Sequence, residues 1–178
     1  MDPAFSWILR GGLAALFAVA ATHKLRDLET FGETLRAYQI IGSAWIAPAG
    51  AALVLAEIGV AAALVLSPNA RVGATGAAVL LLLYSFGIGL NLARGRRDID
   101  CGCLGPSARS PLSGGLLVRN GVLIIAALLA GLPVAPRALH PIDALTIGGG
   151  LVATAFVFIA AQQLAALAPG LRSRRNSA

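Results

Sequence analysis

Residues 72–93 read VGATGAAVLLLLYSFGIGLNLA, which is 22 consecutive positions without a charged side chain. A second uncharged stretch covers residues 144–171, a run of 28 positions. A helix needs about 20 such residues to cross the hydrocarbon core of a bilayer. Because water is absent there, every backbone N–H and C=O must be bonded within the element, and isolated strands cannot meet this requirement. The two stretches predict an all-α protein embedded in a lipid bilayer.

The composition of the whole chain supports this prediction. Of the 178 residues, 57% are hydrophobic and 12% are charged, with a mean hydropathy of +0.80. A soluble domain of this length needs a larger polar surface. The net charge of +6 comes from basic residues at the ends of apolar segments, where such residues usually report membrane orientation. No surface of interleaved aromatic and basic side chains is visible, so we do not expect nucleic-acid binding.

The apolar pattern predicts a polytopic helix bundle of five spans, in which the first four form the core. The spans cover approximately residues 5–23, 45–66, 72–93, 116–132 and 142–168. We expect a single membrane domain over residues 1–178. In the second span, Gly59 and Ala63 are interpreted as positions where another helix packs closely. The sequence does not predict an oligomeric state.

Two connections between the spans are long. In the first, Phe31, Leu35 and Tyr38 recur at i, i+4 and i+7, which is typical of a short amphipathic helix lying on the membrane interface. The second connection, residues 94–114, is rich in Gly, Pro and Ser and predicts an irregular loop.

The basic residues are distributed unequally between the two ends of the predicted bundle. Five spans place three of them at the end that holds the N-terminus, namely Arg10, Arg71 and Arg137. The other end holds eleven: Lys24, Arg26, Arg36, Arg94, Arg96, Arg97, Arg109, Arg119, Arg172, Arg174 and Arg175. Cytoplasmic loops carry the excess of Lys and Arg. We therefore expect a protein of the bacterial inner membrane with its N-terminus outside, and its cysteine loop and C-terminus in the cytoplasm.

Cys101-Gly102-Cys103 holds the two cysteines of the chain. Cysteines two positions apart lie at the upper limit of the Cα separation that a disulfide tolerates, so a bond between them is strained. Strained, exposed disulfides are easily reduced and therefore exchangeable. Such a bond closes a very short loop and adds little stability, which argues against a structural role. The pattern favours thiol redox chemistry.

Other interpretations of the cysteines remain open. Two thiolates can hold Cu(I) or another thiophilic ion, so a metal or small-molecule permease is an alternative. The pair can also be two ordinary loop residues in an assembly factor that works by contacts alone. A zinc site would need further ligands, and His23 is the one additional candidate at this end. The neighbouring arginines favour thiolate, whereas Asp98 and Asp100 oppose it.

Four polar residues at or near the spans are candidates for a polar pocket. Glu57 lies near the middle of the second span, where a carboxylate is costly and is normally protonated, paired or lining a polar cavity. Its functional interpretations are a proton relay or a contact to a bound quinone. Asn91 shares a helix face with Tyr84 and leads toward the cysteine loop. Lys24 and Arg119 lie near span ends, and snorkelling toward the interface is the default explanation for both.

The sequence resembles the methylamine-utilisation MauE family, a branch of the DoxX-like membrane proteins. The resemblance is carried by four segments and by Glu57: residues 21–25 (ATHKL), residues 91–96 (NLARGR), residues 99–105 (IDCGCLG) and the Arg119-Asn120 pair. Residues 91–105 are its most specific part, and it covers approximately residues 5–133.

The resemblance implies a small helical bundle that takes part in redox maturation of exported proteins beside a thioredoxin-like partner. On this basis we expect a membrane thiol–disulfide oxidoreductase with Cys101 and Cys103 as its redox pair. Glu57, Asn91, Lys24 and Arg119 would shape the polar pocket. By analogy with other membrane thiol oxidoreductases, a quinone is a candidate electron acceptor. A role outside the cytoplasm conflicts with the orientation that the charge distribution predicts, and we retain the charge-based orientation.

Overall fold

In a computed structural model, six α-helices make up the part of the chain that the structure describes. The structure describes residues 1–96, 99 and 112–176, and for residues 162 and 164–176 it describes the backbone alone. The helices are α1 (Pro3–Arg26), α2 (Leu28–Tyr38), α3 (Ile46–Leu66), α4 (Ala70–Ala93), α5 (Gly114–Ala130) and α6 (Pro141–Asn176), and a single 3-10 turn (Ser43–Trp45) precedes α3. The predicted all-α polytopic architecture is confirmed.

Four segments are long and apolar enough to cross a membrane: Pro3–Arg26, Ser43–Leu66, Ala70–Ala93 and Pro141–Ala161. Helix α5 has 17 residues, which is the lower limit of about 17–25 residues for a spanning helix. Large apolar side chains such as Leu55, Val79, Phe86 and Phe156 point outward and are exposed. A bilayer is the solvent in which such a surface is stable.

Helices α1, α3, α4 and α5 enclose the main core. Phe17 of α1, Leu64 of α3, Ala77 of α4 and Ala127 of α5 are fully or almost fully buried in one cluster. Small side chains dominate the α4 and α5 faces, and this lets the helices approach closely. The four-helix core predicted from the sequence is therefore the one observed.

The closest approach between α3 and α4 is at Gly73. A Cβ atom added there would lie 2.6 Å from the backbone nitrogen of Leu64 and 2.7 Å from its Cα. The same addition at Gly59 would meet no atom within 4 Å. The close-packing prediction is wrong for Gly59, which faces open space, and right for Ala63, whose backbone carbonyl carbon would lie 2.9 Å from the Cβ added at Gly73.

Helix α2 forms within the first long connection, as the i, i+4, i+7 pattern predicts. Its N-terminus is capped by Asp27, whose side chain accepts from the Thr30 N–H at 3.0 Å. Phe31 is buried beside Ala21 of α1 and Val54 of α3. The apolar face of α2 thus packs on protein, and it covers the end of the bundle nearest the cysteine segment.

Helix α6 lies on the outer side of the bundle against α1. Gly150 of α6 meets the side chain of Ile8, and Gly11 of α1 meets the side chain of Leu151. The N-terminus is held at the same end as the α5–α6 connection, because the Met1 ammonium donates to the Pro133 carbonyl at 2.8 Å.

Backbone hydrogen bonds fix the chain on both sides of the cysteine segment, at the C-terminal end of α4 and just before the N-terminal end of α5. Helix α4 ends at Ala93 and is followed by Gly95, whose φ of +75° is the left-handed conformation of a glycine that terminates a helix. The Arg96 N–H then donates to the Asn91 carbonyl at 3.0 Å. Ahead of α5, the Leu112 N–H donates to the Ile99 carbonyl at 3.1 Å. Residues 99 and 112 therefore lie side by side, and we call this pair the base of the cysteine segment.

Candidate functional site

A buried ion pair joins α1 to α3 at the cysteine end of the bundle. The Lys24 ammonium donates to Glu57 Oε1, and the two residues are 5% and 1% exposed. Side chains on a helix lean toward its N-terminus, so Lys24, in the last turn of α1, leans back into the bundle. The snorkelling explanation for Lys24 is wrong, because the ammonium has a carboxylate partner inside the protein.

Tyr84 of α4 completes this pair. Its hydroxyl donates to the same Glu57 Oε1 at 2.6 Å and lies 3.3 Å from Lys24 Nζ. The ammonium also lies 5.0 Å from the centroid of the Tyr84 ring and 5.2 Å from that of Phe31 in α2. Both distances are within the range of a cation–π contact. Four helices therefore converge on one ammonium and one carboxylate, and we call Lys24, Glu57 and Tyr84 the buried triad.

The buried triad borders a small cavity of about 40 Å³. Helix α5 contributes Arg119 and Asn120 to its lining, and the apolar walls include Phe17 of α1 and Phe158 of α6. The Asn120 amide donates to Ser85 Oγ at 3.2 Å, and its oxygen accepts from the Arg119 guanidinium at 3.2 Å. The Arg119 guanidinium is therefore held at the cavity by its neighbour in α5.

Of the four pocket residues predicted from the sequence, the structure brings three to this cavity: Lys24, Glu57 and Arg119. Asn91 does not line it and lies two turns further along α4. Its amide donates to the Gly87 carbonyl of its own helix at 3.0 Å. Its Oδ1 is buried without a hydrogen-bond partner among the described residues. Asn91 lies instead in the last turn of α4, where its backbone carbonyl accepts from the Arg96 N–H.

Cys101 and Cys103, predicted to be the redox pair, lie outside the described residues. Among the residues that the structure does describe, no group of three or more His, Cys, Asp or Glu side chains could hold a metal ion.

Sequence reasoning did not place Tyr84 or Asn120 in the site. The sequence places Tyr84 on a helix face and Asn120 beside Arg119, and predicts neither as a member of the site. Both are polar residues inside apolar helices, and buried polar groups in a membrane need partners. That signal marks them as interior residues, but it does not identify which residue each one bonds.

Comparison with known proteins gives one family. The family model described as methylamine utilisation protein MauE matches residues 2–133. Methylamine utilization protein MauE of Paracoccus denitrificans is 37% identical over 137 residues, which cover 76% of this chain and 74% of that protein. The protein of the same name from Methylorubrum extorquens is 37% identical over 180 residues, covering 99% of this chain and 95% of that protein. No solved structure matches the chain.

Proposed function

The chain belongs to the methylamine utilisation protein MauE family, and we propose that it is a membrane thiol–disulfide redox protein. The family resemblance inferred from the sequence is thereby confirmed. The names of the relatives connect them with methylamine utilisation. For this chain we propose the chemical role alone: Cys101 and Cys103 exchange electrons with a thioredoxin-like partner in support of the maturation of exported proteins.

The observation that carries the proposal is that both helices flanking the cysteine segment in the chain, α4 and α5, line the cavity at the buried triad. Helix α4 leads into that segment and supplies Tyr84 to the cavity, while α5 leads out of it and supplies Arg119. Cys101 follows Ile99, part of the base, by two residues, and two residues of chain reach at most about 7 Å. The cysteine pair is thus joined through the chain to two helices that line a buried site with basic and acidic groups.

The proposed exchange needs no oxidant other than the disulfide of one of the two proteins. A thiolate of one protein attacks a sulfur of the other protein's disulfide and forms a mixed disulfide, which the second thiol of the attacking pair then resolves. Two electrons and two protons pass from the pair that begins as the dithiol to the pair that begins as the disulfide. A quinone is a candidate for resetting a reduced Cys101–Cys103 pair, since it takes up the same two electrons and two protons to become a quinol.

Trapping of the mixed disulfide tests the proposal. In Cys101→Ser or Cys103→Ser, one of the two variants lacks the resolving thiol and should accumulate a reductant-sensitive adduct with a thioredoxin-like protein, identified by mass spectrometry. The matched control is Ser110→Cys in the Cys101→Ser/Cys103→Ser background, which keeps a lone thiol in the same segment and should not capture the partner. Full activity of the double Ser variant would overturn the proposal. Stoichiometric Cu(I) binding without any adduct would favour the permease.

We also propose that the chain lies in the bacterial inner membrane with the cysteine segment facing the cytoplasm, on the basis of the eleven-to-three distribution of basic residues. A membrane-impermeant maleimide of gel-shifting mass checks this in intact cells. The cysteines should stay unlabelled until lysis and should then react without a reductant. Labelling of intact cells after mild reduction would place an oxidised pair outside and overturn the orientation while favouring the redox role.

A further inference from the structure

Large apolar side chains are exposed where the chain passes from α2 to α3. Residues 39–45 of this connection read QIIGSAW, and we call them the α2–α3 turn. Trp45 is 69% exposed, Ile40 42% and Ile41 37%. An exposed apolar patch of this kind marks a surface that meets a protein or a membrane.

Helix α2 itself turns its apolar side toward the protein. Phe31 and Leu35 pack with Val54 of α3, while Glu33 and Arg36 lie on the opposite side of the helix and are exposed. A helix bound at a membrane interface has the reverse arrangement, with its apolar face in the lipid. The apolar contact with the surroundings is therefore left to the α2–α3 turn.

The position of the turn along α4 identifies what covers it. A Cβ atom added at Gly87 of α4 would lie 3.7 Å from Ile40 Cδ1. Gly87 precedes Ala93, the last residue of α4, by six residues, which is about 9 Å along the helix axis. The 24 residues of α4 measure about 36 Å, whereas the hydrocarbon core of a bilayer is about 30 Å thick. The helix therefore projects from the core by less than the distance to Gly87, and the tip of Ile40 lies at the depth of the lipid.

The surfaces on both sides of the turn belong to membrane spans. On α4, Leu83 lies one turn before Gly87 and is an exposed apolar side chain within the span Ala70–Ala93. On α3, Trp45 lies in the first turn of the apolar segment Ser43–Leu66, which is long enough to cross a membrane. Tryptophan is enriched where such segments meet the membrane–water boundary. The exposed side chains of the turn are thus continuous with a surface that faces lipid.

We propose that the α2–α3 turn is a membrane anchor, in which Ile40, Ile41 and Trp45 insert at the boundary between the lipid headgroups and the acyl chains. Interfacial elements insert about 5–10 Å into this boundary, which agrees with the depth of Ile40. Arg94 Nη1 donates to the Gln39 carbonyl at 3.4 Å, so a cation stands at the start of the turn, where it meets lipid phosphates. The anchor holds α2 at the membrane surface with its polar side toward water. None of these residues belongs to the cysteine segment, so the anchor does not depend on thiol exchange.

Quenching of tryptophan fluorescence in lipid nanodiscs tests the anchor. Trp7 and Trp45 are the two tryptophans of the chain, and Trp7 stacks on Arg10. Trp7→Phe therefore leaves Trp45 as the only reporter and keeps an aromatic ring beside Arg10. The nanodiscs contain phosphatidylcholine brominated near the headgroup, in mid-chain or near the terminal methyl group, and acrylamide is the quencher in water. We expect Trp45 to lose most of its emission to bromine near the headgroup, and much less to bromine near the methyl group or to acrylamide.

Two further reporters in the Trp7→Phe/Trp45→Phe background distinguish the turn from α2. Ile41→Trp lies in the turn and should show the same dependence on the position of bromine. Glu33→Trp is the matched control on the outer side of α2, and acrylamide should quench it while the brominated lipids do not.

Three results would overturn the anchor. If acrylamide alone quenches Trp45 and Ile41→Trp, the turn faces water. If neither acrylamide nor brominated lipid reaches them, protein covers the turn. If the lipids quench Glu33→Trp as strongly as Ile41→Trp, α2 is itself immersed in the lipid and the turn is not a separate anchor.

Discussion

The ammonium of Lys24 and the carboxylate of Glu57 are almost fully removed from solvent, although each ion costs several kcal/mol to desolvate. What offsets this cost is the number of partners: two donors on Glu57 Oε1, and one carboxylate and two aromatic rings around Lys24. A buried pair of this kind is weak as a source of stability, because well-packed apolar side chains are often as stable or more so. Its presence therefore fits a functional role better than a structural one.

The buried triad should behave as one unit in measurements of stability. Lys24→Met alone leaves Glu57 buried without its cation, and we expect the free energy of unfolding in detergent to fall by about 3–5 kcal/mol. The triple variant Lys24→Met/Glu57→Leu/Tyr84→Phe removes every polar member together and should unfold within about 1 kcal/mol of wild type. The triple variant should nevertheless remain impaired in thiol exchange, because the polar groups of the triad are gone. If the triple variant is as unstable as the single one, the loss reflects packing and not an orphaned charge.

Tyr84 should contribute mainly through its hydroxyl bond to Glu57. Tyr84→Phe keeps the ring near Lys24 and removes the 2.6 Å hydrogen bond, so we expect a loss of about 1–2 kcal/mol in the free energy of unfolding. In the Glu57→Gln background the charge on the acceptor is gone, and the same change should cost less. A double-mutant cycle measures this difference. Equal costs in both backgrounds would show that the two side chains are not coupled.

At the scale of elements, the distance between α3 and α4 depends on a small residue that faces the neighbouring helix. Gly73 of α4 lies against the backbone of Leu64 in α3, and a backbone cannot rotate away as a side chain can. Gly73→Ala must therefore separate the two helices that carry Glu57 and Tyr84. The site and the packing of α3 on α4 are thus linked.

Two glycines offer a matched test of this link. Gly73→Ala should lower the free energy of unfolding by about 1–3 kcal/mol, as overpacking does, and should also weaken the coupling between Glu57 and Tyr84. Gly59→Ala has no atom within 4 Å to meet, so it should be neutral or stabilising by at most about 1 kcal/mol through helix propensity. Denaturation of both variants in detergent gives the comparison. A larger loss at Gly59 than at Gly73 would contradict the packing described.

How much of this could be predicted from the sequence depends on how far apart the interacting residues lie in it. The helices were predictable because a run such as residues 72–93 carries its own signal, and Glu57 was predictable as a costly residue at membrane depth. The pairing of Glu57 with Lys24 was not, because it spans 33 positions and depends on how α1 and α3 are rotated about their axes. For the same reason Gly59 could not be distinguished from Gly73 as the close-packing residue.

At the scale of the whole molecule, the two ends of the bundle carry different tasks. The half of the bundle that leads to the cysteine segment holds the buried triad, which reaches from the last turn of α1 to the middle of α3. The opposite end holds structural ties: Arg10 of α1 donates to the carbonyls of Leu64 and Ser67 at 2.7 and 2.9 Å, closing the end of α3. At that end Arg137 also joins Asp2 to Asp143. Changes to the second end should therefore alter stability without altering the proposed thiol exchange.

The Asp2–Arg137 contact gives this end a predictable pH dependence. The pKa of Asp2 lies below its ordinary value of 3.8, first because the Ala4 N–H donates to the carboxylate and also because Arg137 does. A carboxyl whose pKa is lowered in the folded state stabilises that state above the ordinary value, and this contribution is lost as the pH falls through the folded pKa. Both groups are substantially exposed, so the effect should be small and sensitive to salt.

Asp2→Asn should therefore lower the thermal midpoint of the purified protein at neutral pH, and the difference from wild type should shrink below pH 3.8 and disappear once the pH has fallen through the lowered pKa of folded Asp2. The reason is that wild-type Asp2 becomes neutral there and resembles the variant. Arg137→Gln should converge with wild type only at a lower pH, since it also loses the contact to Asp143, whose pKa the hydrogen bond from Arg137 lowers to about 2. Thermal denaturation across this pH range is the measurement, with thiol exchange followed in parallel and expected to stay unchanged. A midpoint difference that persists unaltered into acid would mean that Asp2 acts through helix capping geometry and not through its charge.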